Sequence, residues 1–359
     1  MDSVKLLHYL KQNSLLGEAR AASEKITRIF NDCFQADDEN VFIITDYGNR
    51  GRMISPILAA GYFLAARSLG MNPTLLAQGH KFKGSMADIH VETTLDESGF
   101  RNIVILAANS LGSTPWMGRS FRKFASARKH KFISCTGLSS LKTSTLPSIL
   151  SAIDIDYPSL QERSARLKEM FDSGNELHVT APGGTDLWIG IKGKEARSND
   201  GLFTTPGIGG NLPSGEVYIA PRKKKVEGRV VIDASSRNIK GTILVKNPMT
   251  LTVEGGEVVD IKGGIAARYL KQSIQWAREN SNYPWGIRRL GEFGLGINPK
   301  AKILGAMVID EKATNTAHVA IGSNHWFGGT VYSIIHLDHV FRSPKIKIDG
   351  ELLDRSLYT

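Results

Sequence analysis

The chain has 359 residues, of which 41% are hydrophobic and 22% are charged. This length and composition are typical of a globular protein with two domains, and they exclude a largely disordered chain. Forty-five lysines and arginines against 35 aspartates and glutamates give a formal net charge of +10. The basic residues are dispersed, and the densest runs are Arg222–Lys225 and residues 119–131. The first of these has no interleaved aromatic residues. We therefore interpret the charge as a solvated surface and do not expect a nucleic-acid partner.

Cysteine usage and apolar run lengths bear on the cellular compartment. Cys33 and Cys135 are too few for a disulfide framework and suit a reducing environment. The N-terminal stretch lacks the apolar run of a signal peptide, and the longest nearly uncharged apolar stretch, residues 57–66, is too short to span a bilayer. We expect a cytoplasmic protein that does not associate with membranes.

The first part of the chain alternates strand and helix patterns. Short apolar runs predict four buried strands, at residues 41–45, 73–77, 103–107 and 131–135. Between the first two, the apolar spacing predicts a helix with Pro56 in its first turn and its end at Gly70. This β-α-β order predicts an α/β domain with a mostly parallel sheet over residues 1–155.

The turn after the first strand, residues 46–51, has only a Gly48-x-x-Gly51 pattern. Dinucleotide-binding folds use a Gly-x-Gly-x-x-Gly turn at this place, because the glycines let the backbone approach the phosphates. We expect no mononucleotide or dinucleotide site in this half.

A helix connects the two halves. Ser159-x-x-Glu162 predicts a capping box with Ser159 as the N-cap, and Gly174 predicts the end of the helix. We place the domain boundary at this helix, between residues 155 and 156.

The sequence pattern changes after this helix. From about Asn175, strand-like runs follow one another with glycine or aspartate turns, and Gly255-Gly256 predicts a hairpin. One helix, at about residues 266–279, interrupts the strands. We predict that residues 156–359 form an α+β domain with a curved antiparallel sheet.

Chemically versatile residues are concentrated near the end of the chain. Four of the nine histidines are His318, His325, His336 and His339. Asp310, Glu311 and Asp338 accompany them. Imidazoles together with carboxylates are the ligands of divalent transition metals.

The segment His336-Leu337-Asp338 is the centre of this cluster. Residues two apart on a strand point to the same face, so His336 and Asp338 converge while Leu337 faces the packing. A buried imidazole beside a buried carboxylate is costly unless the two are hydrogen-bonded or bound to a metal. His318, on a second apolar strand, is expected to join them as a ligand.

Two glutamates, Glu216 and Glu292, lie in weakly charged segments bounded by glycines. Their spacing alone fits surface residues as well as ligands.

Five segments, taken in order, resemble the metallo-aminopeptidases of the thermophilic aminopeptidase T type. They are Gly184–Leu187, Asn211–Pro221, Arg289–Asn298, Asp310–Gly322 and His336–Asp338. The resemblance covers roughly residues 183–340, and in the first half only the order of elements agrees. It implies a homodimer and a site for two divalent metal ions, either zinc, cobalt or manganese. By this resemblance the ligands are Glu216, Glu292, His318, His336 and Asp338.

The segment Ser323–Gly329 departs from the family pattern. Where that family has a tyrosine, this chain has His325, and Tyr332 could supply the phenol from a shifted position. Three roles are open for His325: a sixth ligand, an acid/base group or a surface histidine. His325 and Glu292 are the candidates for the general base. The chain is also shorter than these peptidases, and short relatives of similar layout include the dihydroxypyridine ring-opening dioxygenases, which use iron(II).

The patterns together with this resemblance imply three alternative functions. The first is a metal-dependent hydrolase that releases the N-terminal residue of a short peptide, with a carboxylate shared by the two metals, Glu216 or Asp338. The second is a ring-opening dioxygenase that acts on a small molecule, with one iron(II) on His318, His336 and Asp338. The third is a non-enzymatic nucleic-acid or scaffold protein with a vestigial site.

Overall fold

The computed structural model describes residues 2–82, 85–115 and 120–359. The chain divides into two compact units: one comprises residues 1–158 and 201–214, and the other comprises residues 159–200 and 215–359. The chain first passes from one unit to the other after residue 158, three residues beyond the boundary expected from the sequence. Residues 201–214 belong to the first unit again, and no local sequence pattern predicts this. The reason is that their one short strand pairs with a strand far away in the chain, at residues 131–134.

The first unit is an α/β structure built on a five-stranded parallel sheet. Its strands are β1 (Val41–Asp46), β2 (Pro73–Gln78), β3 (Ile103–Ala107), β4 (Lys131–Ser134) and β8 (Gly209–Asn211), in the order β2-β1-β3-β4-β8. Its helices are α1 (Asp2–Gln12), α2 (Leu16–Arg28), α3 (Ile54–Ser68), α4 (Ile89–Glu97), α5 (Phe121–Ala127) and α6 (Leu146–Ile153). The four strands predicted from apolar runs are confirmed.

Helix α3 shows why the local pattern was informative. Pro56 lies in its first turn, and Gly70, with a φ of +78°, follows its end. Most of the helix is buried, and Gly61 faces α2, where an added Cβ would lie 3.0 Å from the Cβ of Ala22. The missing side chain lets the two helices pack closely.

The second unit consists of two seven-stranded sheets whose paired strands are antiparallel. One has the order β14-β13-β10-β6-β5-β18-β19, formed by β5 (Glu176–Ala181), β6 (Thr185–Gly190), β10 (Val226–Ile232), β13 (Met249–Glu254), β14 (Glu257–Gly263), β18 (Lys345–Ile348) and β19 (Glu351–Leu352). The other has the order β12-β11-β17-β16-β15-β9-β7, formed by β7 (Ala196–Asn199), β9 (Glu216–Ile219), β11 (Ser235–Asn238), β12 (Gly241–Leu244), β15 (Leu290–Gly296), β16 (Thr316–Gly322) and β17 (His336–Arg342). The predicted fold class, a parallel α/β part followed by an antiparallel α+β part, is confirmed.

Three helices accompany these sheets. They are α7 (Tyr157–Ser173), α8 (Ile265–Asn280) and α9 (Met307–Asp310). On one face of the second sheet, the ring of Phe171 in α7 lies 6.3 Å from the ring of Phe293 in β15. A helix therefore covers that face, and the side chains of Glu292 and His318 lie on the other face of the sheet.

The capping-box prediction for α7 was wrong. The helix begins at Tyr157, two residues before Ser159, so Ser159 lies inside its first turn. Pro158 explains the earlier start, since proline is favoured in the first turn of a helix, where its missing N–H leaves no hydrogen bond unmade.

Among the described residues, none of the helices has the length and apolar character required to cross a membrane.

Candidate metal centre

Strand register places the predicted ligands on one face of four adjacent strands. In the pairings of β9, β15, β16 and β17, Glu216 lies opposite Gly296, His318 opposite Gly294, Asp338 opposite Ala320 and His336 opposite Gly322. Residues directly opposite each other, and residues two apart on one strand, share a face of the sheet. Glu292 lies two residues before Gly294 on β15, so its side chain is on the same face as that of His318.

Small residues between the ligands make room for them. A Cβ on Gly294 would lie 2.3 Å from both Cε1 and Nε2 of His318. Gly296 admits the neighbouring backbone in the same way, because an added Cβ would lie 2.1 Å from the carbonyl oxygen of Ala313. The glycine-rich segment that includes β15 thus gives space to an imidazole and to a following loop.

Glu292, His336 and Asp338 form the first group of candidate ligands. The Nε2 atom of His336 lies 3.0 Å from Oδ1 of Asp338 and 3.6 Å from Oε2 of Glu292. Its Nδ1 donates a hydrogen bond of 2.7 Å to the carbonyl oxygen of Ser323. Because a carbonyl can only accept, this bond fixes the proton on Nδ1 and directs Nε2 toward the carboxylates. We call these three residues the His336 group.

Glu216, Glu311 and His318 form the second group, which we call the His318 group. Their candidate ligand atoms all lie within 4.8 Å of one another. The Nε2 atom of His318 is 3.7 Å from Oε2 of Glu216 and 3.1 Å from Oε1 of Glu292. Glu292 therefore directs one oxygen toward each group.

A buried lysine completes the cluster. Nζ of Lys312 lies 2.5 Å from Oε1 of Glu216 and 2.5 Å from Oε1 of Glu311. Glu311 accompanies the histidines in the sequence but is not among the predicted ligands, and Lys312 was not predicted to join the site. The available signal was weak: a charged run, Asp310–Lys312, directly follows an apolar segment and precedes a buried strand.

The charges of this cluster raise the pKa of both imidazoles. Burial alone would lower the pKa of His318, but the hydrogen bond and charge of Glu292 raise it to about 9. Burial likewise opposes protonation of His336, and Asp338 outweighs it and raises that pKa to about 10. The pKa of Asp338 is held well below its usual range because His336 overcomes the effect of burial. With these raised pKa values, both imidazoles favour the protonated form, and a metal cation would have to replace one proton on each ring.

The other two histidines of the sequence cluster have different positions. His325 is exposed in the loop between β16 and β17, where its Nδ1 lies 2.8 Å from the hydroxyl of Ser323 and its ring stacks on Tyr332 at 4.6 Å. It lies beside the ligand groups and belongs to neither. His339 is buried and contacts the hydroxyl of Ser236 at 2.9 Å. Desolvation lowers the pKa of His339 to about 4, which marks a neutral structural histidine.

The donor set fits divalent metal ions. Four acidic residues, Glu216, Glu292, Glu311 and Asp338, are buried. Within the described part of this cluster, Lys312 is the permanently cationic side chain in direct contact with them. Buried carboxylates in such excess are costly unless cations compensate them, and imidazole with carboxylate suits transition metals.

Two proteins with named activities are similar in sequence to about half of this chain. Aminopeptidase AmpS of Bacillus subtilis is 30% identical over 209 residues, which cover 52% of this chain and 49% of that protein. The 2,5-dihydroxypyridine 5,6-dioxygenase of Pseudomonas putida is 25% identical over 200 residues, 53% of this chain and 56% of that protein. The chain thus matches only about half the length of these curated relatives.

Two solved structures share the fold over nearly the whole chain. The 2,5-dihydroxypyridine dioxygenase of Pseudomonas putida KT2440 superposes with a TM-score of 0.70 at 16% identity, covering 94% of this chain and 98% of that one. The aminopeptidase AmpT of Thermus thermophilus superposes with a TM-score of 0.61 at 15% identity, covering 93% of this chain and 99% of that one. The predicted resemblance to T-type aminopeptidases and their dioxygenase-like relatives is confirmed.

The family model described as NicX: 2,5-dihydroxypyridine 5,6-dioxygenase matches residues 22–355. This match extends over most of both units of the structure and includes every residue of the two ligand groups. The chain therefore belongs to the NicX family.

Proposed function

We propose that the chain is a metal-dependent hydrolase of the aminopeptidase type, which releases the N-terminal residue of a short peptide. The supporting observation is the position of Glu292, whose two oxygens lie 3.1 Å from Nε2 of His318 and 3.6 Å from Nε2 of His336. Two-metal hydrolases hold their ions about 3.5–4 Å apart, and a carboxylate between two ligand groups suits that spacing. Glu292 thus takes the shared role that the sequence suggested for Glu216 or Asp338.

The residues divide into two sets of ligands for zinc, cobalt or manganese. Glu216, Glu311 and His318 would hold one ion, and His336 and Asp338 would hold the other, with Glu292 shared. Divalent ions bound there would lower the pKa of a bound water and polarise the scissile carbonyl.

We assign proton transfer to His325. Its imidazole is exposed, and the Ser323 hydroxyl holds its Nδ1 at 2.8 Å. The indole of Trp326 lies 5.5 Å from the ring of His325 and 4.9 Å from the ring of His336. This packing places His325 close to the candidate ligand His336. A histidine at the rim of the site can carry a proton from the attacking water to the departing amine. Glu292 is the alternative base if one of its oxygens stays free of metal.

Peptide turnover and metal content test this proposal together. Metal-free protein would be loaded with zinc, cobalt or manganese and assayed on leucyl- and phenylalanyl-anilides. We expect turnover that follows the binding of two equivalents, and a loss of at least about 100-fold in kcat for Glu292→Gln. The matched control is Glu227→Gln, on a strand of the other sheet, which should keep full activity. Absence of turnover with every metal at two equivalents would contradict the proposal.

A mononuclear iron(II) dioxygenase is the second candidate function. The observation that favours it is the buried Lys312 ammonium, which already compensates Glu216 and Glu311 in the His318 group. His318, His336 and Asp338 still supply the two imidazoles and one carboxylate that such iron sites use. Oxygen uptake with 2,5-dihydroxypyridine after anaerobic loading with one equivalent of iron(II) would support this function over hydrolysis.

A further inference from the structure

Lys312 is a cation fixed inside the metal centre. Its side chain is fully buried, and its Nζ contacts one oxygen each of Glu216 and Glu311. The backbone holds it there, because the amide of Asn298 donates a 2.8 Å hydrogen bond to the carbonyl oxygen of Lys312. Gly296 makes this approach possible, since a Cβ at that position would lie 2.8 Å from the carbonyl carbon of Lys312.

This lysine makes the two ligand groups electrostatically unequal. In the His318 group the charges of Glu216 and Glu311 are offset by one ammonium, which leaves a formal charge of −1 when His318 is neutral. In the His336 group, Asp338 and the shared Glu292 form ion pairs with imidazoles, and the charge of the exposed Arg237 also acts on Asp338. Among the described residues of the two groups, the buried ammonium therefore belongs to the His318 group. The contacts of Lys312 take up one oxygen of each glutamate in the His318 group, and Glu292 and Asp338 have no such contact with it.

We propose that Lys312 is a resident cation that sets the order of metal binding. The His336 group binds a divalent ion first and tightly, and the His318 group binds a second ion with at least about 100-fold lower affinity. The inference rests on the proposed two-metal function, since it assigns unequal affinities to its two ions. The ammonium repels the second ion, and it also occupies one oxygen each of Glu216 and Glu311.

A cobalt(II) titration of the metal-free full-length protein tests the inference. Cobalt absorption reports the coordination of each ion, and a competing chelator gives the two dissociation constants. We expect two separated phases for the native chain. Asp338→Asn should abolish the tight phase, while Glu216→Gln should leave the tight phase unchanged and weaken or abolish the second.

Variants of Lys312 test the origin of the inequality. Lys312→Met should tighten the second phase by at least about tenfold and leave the first within about twofold, because one repelling charge is removed. Lys312→Arg keeps the charge and should keep the native separation. A merely structural lysine would instead weaken both phases together. Thermal unfolding with and without cobalt(II) checks that each variant folds; if Lys312→Met does not, the pair Asp338→Asn and Glu216→Gln decides.

Three results would overturn the inference: two equal affinities in the native chain, loss of the tight phase in Glu216→Gln, or an unchanged second phase in folded Lys312→Met. Separated phases without peptide turnover would remove the hydrolase proposal and leave this inference standing. Peptide turnover with two equal affinities would support the hydrolase proposal and overturn this inference. One equivalent in the native chain but two in Lys312→Met would support the resident cation and favour the mononuclear function.

Discussion

At the scale of single residues, the candidate metal centre depends on glycines, which have no side chain, as much as on its candidate ligands. Gly294 lies directly opposite His318 in the pairing of β15 with β16. The imidazole of His318 occupies the space that a side chain at position 294 would need. A position that reads as an ordinary strand glycine in the sequence is therefore part of the site.

We predict that Gly294→Ala displaces His318 and lowers metal content. The added methyl would overlap the imidazole at 2.3 Å, and relief of this overlap costs about 1–3 kcal/mol of stability. Metal stoichiometry and urea unfolding measure the two effects. Gly79→Ala is the matched control, because a Cβ there meets no atom within 4 Å and should change neither quantity. Full metal content in Gly294→Ala would show that the site tolerates the methyl.

Trp326 is the second residue whose role the geometry suggests. Its side chain is 48% exposed although it packs 4.9 Å from the ring of His336. An exposed aromatic ring beside a candidate ligand offers a surface to the substrate.

We predict that Trp326→Ala raises KM about tenfold for substrates with a large apolar group and leaves kcat within about threefold. Stability should change by less than about 0.5 kcal/mol, because half of the ring faces solvent. Steady-state kinetics and thermal unfolding give these values. Trp188→Ala is the control, since that indole is 45% exposed on the other sheet and should not affect KM. Equal KM values for Trp326→Ala and the native chain would remove Trp326 from substrate binding.

At the scale of elements, local patterns predicted most strands and helices because each pattern is read within one segment. Gly255 and Gly256, with φ values of +53° and +74°, form the predicted turn between β13 and β14. The error at the start of α7 is also local: a capping box and an N-terminal proline competed within three residues, and the proline marks the observed first turn.

The buried His130, which precedes β4, gives the first unit a pH dependence. Its Nδ1 accepts a 3.1 Å hydrogen bond from the amide of Asn102, and desolvation lowers its pKa to about 4. In the unfolded chain a histidine has a pKa near 6.5. Between these values the unfolded state binds more protons, so the stability contributed by neutral His130 is complete above about pH 6.5 and decreases as the pH falls toward 4.

We predict that His130→Asn reduces this pH dependence. The native chain should lose up to about 3 kcal/mol of stability through this histidine between pH 7 and pH 4, and the variant should lose correspondingly less. Asparagine keeps an acceptor near the position of Nδ1, so the hydrogen bond from Asn102 can persist. Urea unfolding at several pH values measures the difference. Parallel pH profiles for the two proteins would exclude His130 as a source of the dependence.

At the scale of the whole molecule, the edge strands of the sheets bear on association between chains. Both sheets of the second unit end in edge strands, β14 and β19 in one and β12 and β7 in the other. Edge strands present unpaired backbone groups that proteins cover or protect.

We predict a homodimer at micromolar concentration, as the resemblance to T-type aminopeptidases implies. Multi-angle light scattering should give twice the chain mass of 39.3 kDa. A mass of one chain over the whole concentration range would show that the edges are protected without a partner.

The sequence by itself determined those features whose cause lies within one segment. The alternation of His336, Leu337 and Asp338 on a buried strand brought an imidazole and a carboxylate to one face, and their side chains lie 3.0 Å apart. Apolar runs and turn residues likewise predicted the parallel first part and the antiparallel second part, because strand and helix periods are local properties.

Only the tertiary structure decided which distant residues meet these candidate ligands. Glu216 and Glu292 face His318 because β9, β15 and β16 pair in one particular register, and a shift of one residue would turn their side chains to the opposite face. Glu311 and Lys312 join through a loop that Gly296 and Asn298 hold against β15. No period within either segment encodes these contacts, since they arise from strand pairing and packing between segments far apart in the chain.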